Sequence, residues 1–178
     1  MTTDKFGYER IDDSPEFDGI IRESHEYRYQ VAGRYTKDTD TVLDSACGTG
    51  YGRKFLKGHY VGVDKFKNLE VNCLQEDLET WVPRFEYDVF ISIETIEHLY
   101  NYTQLVKNAK NSKRIIVIST PIIPTVVRLP NGEPDARHFH VQDFTMDKLK
   151  RIFEDEDWKI IHEEIQNNVY GIIVLQKK

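Results

Sequence analysis

The sequence predicts an α/β fold in which a mostly parallel sheet is covered by helices on both faces. Apolar runs typical of strands alternate along the chain with segments of helical periodicity. The first run, TVLDSAC, leads directly into the glycine-rich stretch GTGYG. This arrangement is typical of a strand that is followed by a ligand-binding turn. The 178 residues suffice for a substantial core, and we expect a single domain over 1–178.

The elements follow one another in a regular order. Each predicted strand is an apolar run bounded by polar or glycine-containing turns, and each predicted helix has apolar residues at helical spacing. Strands are predicted at 41–47, 60–64, 69–75, 87–93, 113–120, 158–166 and 170–178, and helices at 17–35, 50–58, 101–111 and 146–155. The polar residues 1–17 are expected to form an N-terminal arm.

Two connections depart from this regular alternation. The link after the second strand is too short for a full crossover helix, which normally needs about a dozen residues, so we predict a shortened crossover in the form of a loop. Residues 121–142 hold several prolines and show no periodicity. Because long irregular segments in compact domains are usually functional, we predict a lid-like loop there.

Composition restricts the classes of protein to which the chain can belong. The formal net charge of −6 makes a nucleic-acid partner unlikely, since phosphate backbones select basic surfaces. Cys47 and Cys73 have neither metal spacing nor a disulfide framework, which favours a reducing, cytoplasmic location. No apolar run approaches the roughly 18 residues of a membrane span, so no membrane association is expected.

The glycine-rich stretch and two later acids predict a nucleoside-containing ligand. The glycines follow a GxGxG spacing, and Arg53 stands where a dinucleotide-binding fingerprint would have its third glycine. Asp64 closes the second strand, 20 residues after Asp44, where a carboxylate can bind both ribose hydroxyls. Asp77 in QEDLE could accept a hydrogen bond from the exocyclic amine of adenine, with the Leu78 N–H beside it.

Together, VLDSACGTGYG, VGVD, QEDLE and DVFISIETIEHL resemble the ordered motifs of class I, Rossmann-like S-adenosylmethionine-dependent methyltransferases. The resemblance covers about residues 41–120 and extends more loosely to the end of the chain. It implies a three-layer fold with a seven-stranded sheet whose last strand runs antiparallel, and S-adenosylmethionine as cofactor.

The resemblance also implies a set of donor-binding residues. Asp44 and the Gly48–Gly50 backbone would face the methionine moiety, Asp64 the ribose, and Asp77 with Leu78 the adenine. Arg28, in the helix that precedes the motifs, could pair with the donor's carboxylate or could be an exposed helix arginine. The full set is Arg28, Asp44, Ala46, Gly48, Gly50, Asp64, Asp77, Leu78 and Glu94.

Three histidines are candidates for the acceptor side. His98 follows the fourth strand, and His138 and His140 lie in the long loop, where the family places its acceptor. Histidine has a pKa suited to a general base near neutral pH. We expect methyl transfer to oxygen on a small polar acceptor, and the family resemblance implies a sugar or another hydroxylated metabolite. Alternatively, His98 packs at a helix start, and His138 and His140 hold the loop.

Two other functions remain open. Glu94, Glu97, His98 and His140 resemble the metal-binding set of small-RNA 3′-terminal 2′-O-methyltransferases, in which a divalent ion would act as Lewis acid and template. The acidic net charge counts against RNA, and a metal is possible but not favoured. A non-catalytic S-adenosylmethionine-binding subunit of a larger assembly is the third possibility. The oligomeric state cannot be derived from the sequence.

Overall fold

The computed structural model describes residues 19–66, 73–135 and 138–178. Within these residues, the helices are α1 (Ile20–Gly33), α2 (Thr103–Lys110) and α3 (Met146–Phe153), and short 3-10 helices lie at Tyr51–Phe55 and Ile96–His98. The strands are β1 (Thr41–Ser45), β2 (His59–Asp64), β3 (Cys73–Gln75), β4 (Val89–Ile93), β5 (Ile115–Pro121), β6 (Trp158–Gln166) and β7 (Tyr170–Lys177).

The strands form one seven-stranded sheet in the order β3-β2-β1-β4-β5-β7-β6. Neighbouring strands from β3 to β5 pair in parallel, whereas β7 lies antiparallel to both β5 and β6. Every residue of β4 and β5 is buried, as expected for strands covered on both faces. The predicted fold, with its antiparallel last strand, is confirmed.

Two apolar clusters fill the faces of the sheet, because successive residues of a strand point to opposite sides. Leu43 and Phe90 lie in the cluster that also contains residues of α2 and α3. Their neighbours Val42 and Ile91 lie in the other cluster, with Val31 of α1. The protein therefore has three layers, with α1 on one face of the sheet and α2 and α3 on the other.

The segment after β1 differs locally from the prediction. Residues 50–58 were expected to be helical up to Gly58, whereas the structure has a short 3-10 helix over Tyr51–Phe55. At Gly52, an added Cβ would lie 2.2 Å from the Tyr29 ring, so this turn packs directly against α1. Because the turn packs so closely against α1, a short 3-10 helix forms here in place of the predicted longer helix.

The two irregular connections are only partly described. β3 begins at Cys73, and residues 67–72, which contain most of the short crossover and the predicted start of the strand, lie outside the described residues. The predicted arm at 1–17 also lies outside them. Asp77, expected to end the third strand, lies two residues beyond it.

The segment predicted as a lid-like loop has more structure than its sequence suggested. β5 continues to Pro121, and Arg128 and Pro134 form an antiparallel bridge. The Asp143 carboxylate accepts hydrogen bonds from the backbone N–H groups of Thr125 and Val126, at 2.9 and 3.0 Å. The described part of this segment is therefore fixed to the residues that precede α3.

Candidate active site

The glycine-rich turn folds back over the carboxyl end of β2. Three of its residues have left-handed backbone conformations, with φ values of 62° at Ala46, 57° at Gly48 and 78° at Gly50. Glycine adopts this conformation without strain, whereas alanine does not. The Gly48 N–H donates to Oδ2 of Asp64 at 2.9 Å, which fixes the turn against β2.

Asp64 lies at the position predicted for the ribose contact. Its Oδ1 accepts a second backbone bond, from the Phe66 N–H at 2.9 Å, and the residue is 8% exposed. A carboxylate offers about four acceptor positions, so two backbone bonds leave capacity for a ligand. The same side chain can therefore hold the turn and accept hydrogen bonds from hydroxyl groups.

Asp44 is completely buried below the turn, on the side of α1. The Tyr60 hydroxyl donates to its Oδ2 at 2.8 Å, and the Tyr29 hydroxyl donates to its Oδ1 at 3.1 Å. Burial raises the pKa of Asp44 to about 7, although the two tyrosine hydrogen bonds act in the opposite direction. The motif indicated the acid but gave no sign of the tyrosines, which come from α1 and the start of β2.

Arg28 is completely buried, so the interpretation as an exposed helix arginine is wrong. Its Nη1 donates to Gln166 Oε1 at 2.8 Å, and its guanidinium lies 4.1 Å from the ring centroid of Tyr170. Among the described residues, Nη2 is buried without a hydrogen-bond partner. Buried guanidinium N–H groups usually have an acceptor, so this atom can receive an anionic ligand group.

Glu94 joins Arg28 to the end of β4. Its Oε1 lies 3.6 Å from Arg28 Nε and accepts a hydrogen bond from the Ser119 hydroxyl at 3.0 Å. Burial raises the pKa of Glu94 to about 7, while the Arg28 charge acts to lower it. The left-handed backbone at Glu94, with φ of 49°, is a strained conformation of the kind found at ligand sites.

The predicted adenine contacts lie in a turn after β3. Asp77 is half-exposed, with Oδ2 at 3.8 Å from Lys65 Nζ and Oδ1 accepting the Glu79 N–H at 3.0 Å. Leu78 is buried, at 5% exposure. The pair follows β3, the neighbour of the strand that ends in Asp64.

Glu97, His98 and His140 come together beyond the carboxyl end of β4. One ligand atom from each of the three side chains can be chosen so that all three atoms lie within 4.8 Å of one another. The two imidazole rings are 4.8 Å apart between centroids and meet edge to face. Chain segments 42 residues apart thus build one polar cluster on the predicted acceptor side.

The surroundings of the cluster fix both its geometry and its charge. Glu97 is buried and accepts the Thr120 hydroxyl at 2.8 Å, while its backbone carbonyl accepts the Val141 N–H at 2.9 Å. Burial, with the nearby His98, lowers the pKa of His140 to about 4. His140 is therefore a neutral imidazole at neutral pH, with an unprotonated nitrogen that can accept a hydrogen bond or bind a metal ion.

Two of the candidate residues lie outside this cluster. The half-exposed His138 side chain has its Nε2 4.0 Å from Asp135 Oδ2. Glu94, part of the alternative metal set, is directed to Arg28 and Ser119 instead. Three of the four residues in that set meet, and two of the three predicted histidines do.

Comparison with known proteins identifies the family. A family model described as a methyltransferase domain matches residues 21–163, which is more than half of the chain. The chain belongs to the methyltransferase domain family. It is an enzyme of that family, and the predicted class, with S-adenosylmethionine as cofactor, is confirmed. No curated protein sequence matches the chain.

Solved methyltransferase structures share the fold at low sequence identity. An S-adenosylmethionine-dependent methyltransferase from Aquifex aeolicus is 15% identical, with a TM-score of 0.64, over 95% of this chain and 100% of that one. Coclaurine N-methyltransferase bound to N-methylheliamine and S-adenosylhomocysteine is 12% identical, with a TM-score of 0.68, over 94% and 76%. Magnesium protoporphyrin IX methyltransferase from Synechocystis PCC 6803, with bound S-adenosylhomocysteine, is 12% identical, with a TM-score of 0.63, over 97% and 90%.

The chemical groups methylated by such enzymes differ widely, so the shared fold does not define the acceptor.

Within the described residues, no helix has the length and apolar character required to cross a membrane.

Proposed function

We propose that this methyltransferase transfers the methyl group of S-adenosylmethionine to a hydroxyl oxygen of a small polar acceptor. The observation that carries the proposal is the cluster of Glu97, His98 and His140, which lies beyond β4 and next to the end of β5. In open α/β sheets, ligands bind beyond the carboxyl ends of the strands. The cluster is therefore on the same edge of the sheet as the glycine-rich turn.

On the donor side, we assign the ribose to Asp64 and the adenine to Asp77 and Leu78. The methionine moiety would lie over Ala46, Gly48 and Gly50, above the buried Asp44. Its carboxylate would contact Arg28, whose buried Nη2 has no hydrogen-bond partner within the described residues. Glu94, whose Oε1 lies 3.6 Å from Arg28 Nε, would hold Arg28 in place and accept a hydrogen bond from the donor's ammonium group.

On the acceptor side, His98 or its neighbour His140 would accept the hydroxyl proton, and the lowered pKa of His140 makes it a weak base. Methyl transfer from a sulfonium is an in-line displacement, in which the oxygen forms a bond to carbon as the carbon–sulfur bond breaks. Holding the two reactants aligned can be equivalent to an effective concentration of about 10⁵–10⁸ M. Glu97, which is tied to Thr120, would orient the histidines rather than contact the methyl group.

A second candidate is metal-assisted transfer to one hydroxyl of a vicinal diol, as at the 3′-terminal ribose of an RNA. The same cluster favours it, because two imidazoles and one carboxylate form a donor set that suits Mn²⁺, Fe²⁺ or Zn²⁺. Bound there, such an ion would supply Lewis acidity to the acceptor oxygen. Glu97, His98 and His140 would hold it, whereas Glu94 remains with Arg28.

One assay tests both candidates. Formation of S-adenosylhomocysteine is measured with a panel of hydroxylated small molecules and with an RNA oligonucleotide that carries a 3′-terminal diol. His98→Ala and His140→Ala should each reduce kcat/KM for the methylated acceptor by about 10²-fold or more, the usual contribution of a general base. His59→Ala, at an exposed position at the start of β2, is the matched control and should retain full activity.

Metal removal separates the two mechanisms. Activity on a small hydroxylated acceptor that survives a chelator supports the histidine base. Activity on the RNA end that a chelator abolishes and Mn²⁺ restores supports the second candidate. If both histidine variants keep full activity on every methylated acceptor, the acceptor site lies elsewhere and the proposal fails.

The remaining parts of the proposal rest on composition and sequence. A small-molecule partner is favoured by the net charge of −6, because a nucleic-acid partner would select a basic surface. We also propose that residues 1–178 act as one domain in the cytoplasm. Failure to turn over any acceptor despite donor binding would indicate that a partner protein is required.

A further inference from the structure

The two cysteines of the chain lie against each other beside the glycine-rich turn. The Sγ atoms of Cys47 and Cys73 are 3.3 Å apart, and no disulfide joins them. Cys47 is buried within the turn, directly before Gly48, and Cys73 is the half-buried first residue of β3. Residues 26 positions apart in sequence are thus in side-chain contact at the donor site.

The fold builds this contact across β2. Gly62 is the partner of Cys73 in the parallel β2–β3 pair. It lacks the side chain that would separate the two thiols, since a Cβ at this position would lie 2.7 Å from Cys47 Sγ. The Cys47 N–H donates to the Val63 carbonyl at 3.0 Å, which holds the turn over β2.

We propose that Cys47 and Cys73 form a reversible disulfide that lowers the affinity of the enzyme for its methyl donor. The bond requires the sulfur atoms to approach from contact distance to about 2.05 Å. The two thiols lose two protons and two electrons, and the electrons pass to a low-molecular-weight disulfide such as oxidised glutathione. The effect on donor binding rests on the donor site proposed above.

The difference in exposure sets the order of the two steps. Contact with Cys73, followed by burial and the nearby acids, raises the pKa of the Cys47 thiol, so Cys47 is a poor initial nucleophile. The more accessible Cys73 thiolate attacks the oxidant, forming a mixed disulfide and releasing one small thiol. Cys47 then loses its proton and displaces the second small thiol, which completes the bond.

The bond would act on the backbone that carries the donor. Cys47 lies between Ala46, whose left-handed backbone is strained, and Gly48. The Gly48 N–H donates to the Asp64 carboxylate. Moving Cys47 Sγ by about 1 Å toward β3 shifts this backbone relative to Asp64. A displacement of about 1 Å of a positioned group can reduce the rate of an enzyme reaction by about 10²-fold. We therefore expect the affinity for the donor to fall by about tenfold or more.

The test treats the full chain with oxidised glutathione and measures the intact mass, the linked peptides and the calorimetric donor affinity. We expect a species lighter by the mass of two hydrogens, a peptide linking Cys47 to Cys73, and weaker donor binding that dithiothreitol restores. Cys73→Ser is the matched control, because it retains Cys47 and the turn. Its donor affinity should be equal before and after oxidation.

Each other outcome has a definite meaning. If both thiols still react with a thiol reagent after oxidation and unfolding, the disulfide does not form and the inference is overturned. A disulfide without any change in donor affinity overturns the regulatory role. If the reduced protein does not bind the donor while the disulfide forms, the donor-site assignment fails and the thiol chemistry stands.

Discussion

Asp44 combines a fully buried carboxyl group with two tyrosine hydroxyls that donate to it. Burial disfavours the charged form, while both hydrogen bonds favour it. The net result is a pKa of about 7, well above the ordinary value of 3.8. The folded protein therefore keeps a proton on Asp44 over a pH range in which the unfolded chain has lost it.

This difference predicts a pH-dependent stability. Since the pKa is raised in the folded state, the stabilising contribution of the protonated Asp44 is complete below pH 3.8 and is lost as the pH rises through about 7. We expect the free energy of unfolding of the wild type to fall relative to Asp44→Asn over this range, by up to about 1.4 kcal/mol per pH unit. Urea unfolding at a series of pH values measures it.

Tyr60→Phe provides the control for the cause of the shift. Removing its hydroxyl takes away a hydrogen bond that favours the carboxylate, which raises the pKa of Asp44 further. The fall in the free energy of unfolding should therefore continue to a higher pH. A constant difference in stability between wild type and Asp44→Asn from pH 4 to pH 8 would contradict a raised pKa.

Single residues differed in how far the sequence could indicate their roles. The positions of Asp44, Asp64 and the glycines were predictable, because they stand at fixed spacing at or directly after the ends of two strands. The buried state of Arg28 was not, since it depends on Gln166 and Tyr170, which are distant in sequence. Tyr29 and Tyr60 were missed for the same reason: helical or strand periodicity does not reveal a hydrogen bond to a buried acid.

The beginning of α3 provides a test at the scale of one element. Thr145 is the N-cap of this helix, and its side chain accepts a hydrogen bond from the Lys148 N–H at 3.1 Å. The helix carries Leu149 and Phe153 into the core. Thr145→Ala should lower the free energy of unfolding by about 1 kcal/mol, because one N–H of the first turn loses its partner.

Thr145→Ser keeps the hydroxyl and serves as the matched control for that loss. In equilibrium urea unfolding of the three proteins, the serine variant should have a free energy of unfolding similar to that of the wild type. If the alanine and serine variants lose the same stability, the cap does not stabilise α3. The methyl group of Thr145 would then be the relevant feature.

Elements were predictable where one periodicity extended over several turns or a full strand. The strands β4, β5, β6 and β7 lie where their apolar runs indicated. The turn after β1 was less predictable, because Gly52 allows Tyr29 to approach and a 3-10 helix forms instead of an α-helix. The order in residues 121–135 depends on Asp143, whose contacts with Thr125 and Val126 no local pattern reveals.

At the scale of the whole molecule, the parallel order of the central strands assembles the site. β1, β2, β4 and β5 are neighbours, so the residues that follow them share one edge of the sheet. Alternating strands and helices were sufficient to predict this edge. The meeting of His140 with Glu97 and His98 was not predictable in detail, because it depends on the path of the segment after β5.

A crystal structure with bound S-adenosylhomocysteine tests the central claim most directly. We expect the ribose hydroxyls on Asp64 and the sulfur directed toward Glu97, His98 and His140. A hydroxyl oxygen placed about 3 Å from the departing methyl position should also reach an imidazole nitrogen of His98 or His140. A sulfur directed away from this cluster, or separated from it by protein, would contradict the proposed acceptor site.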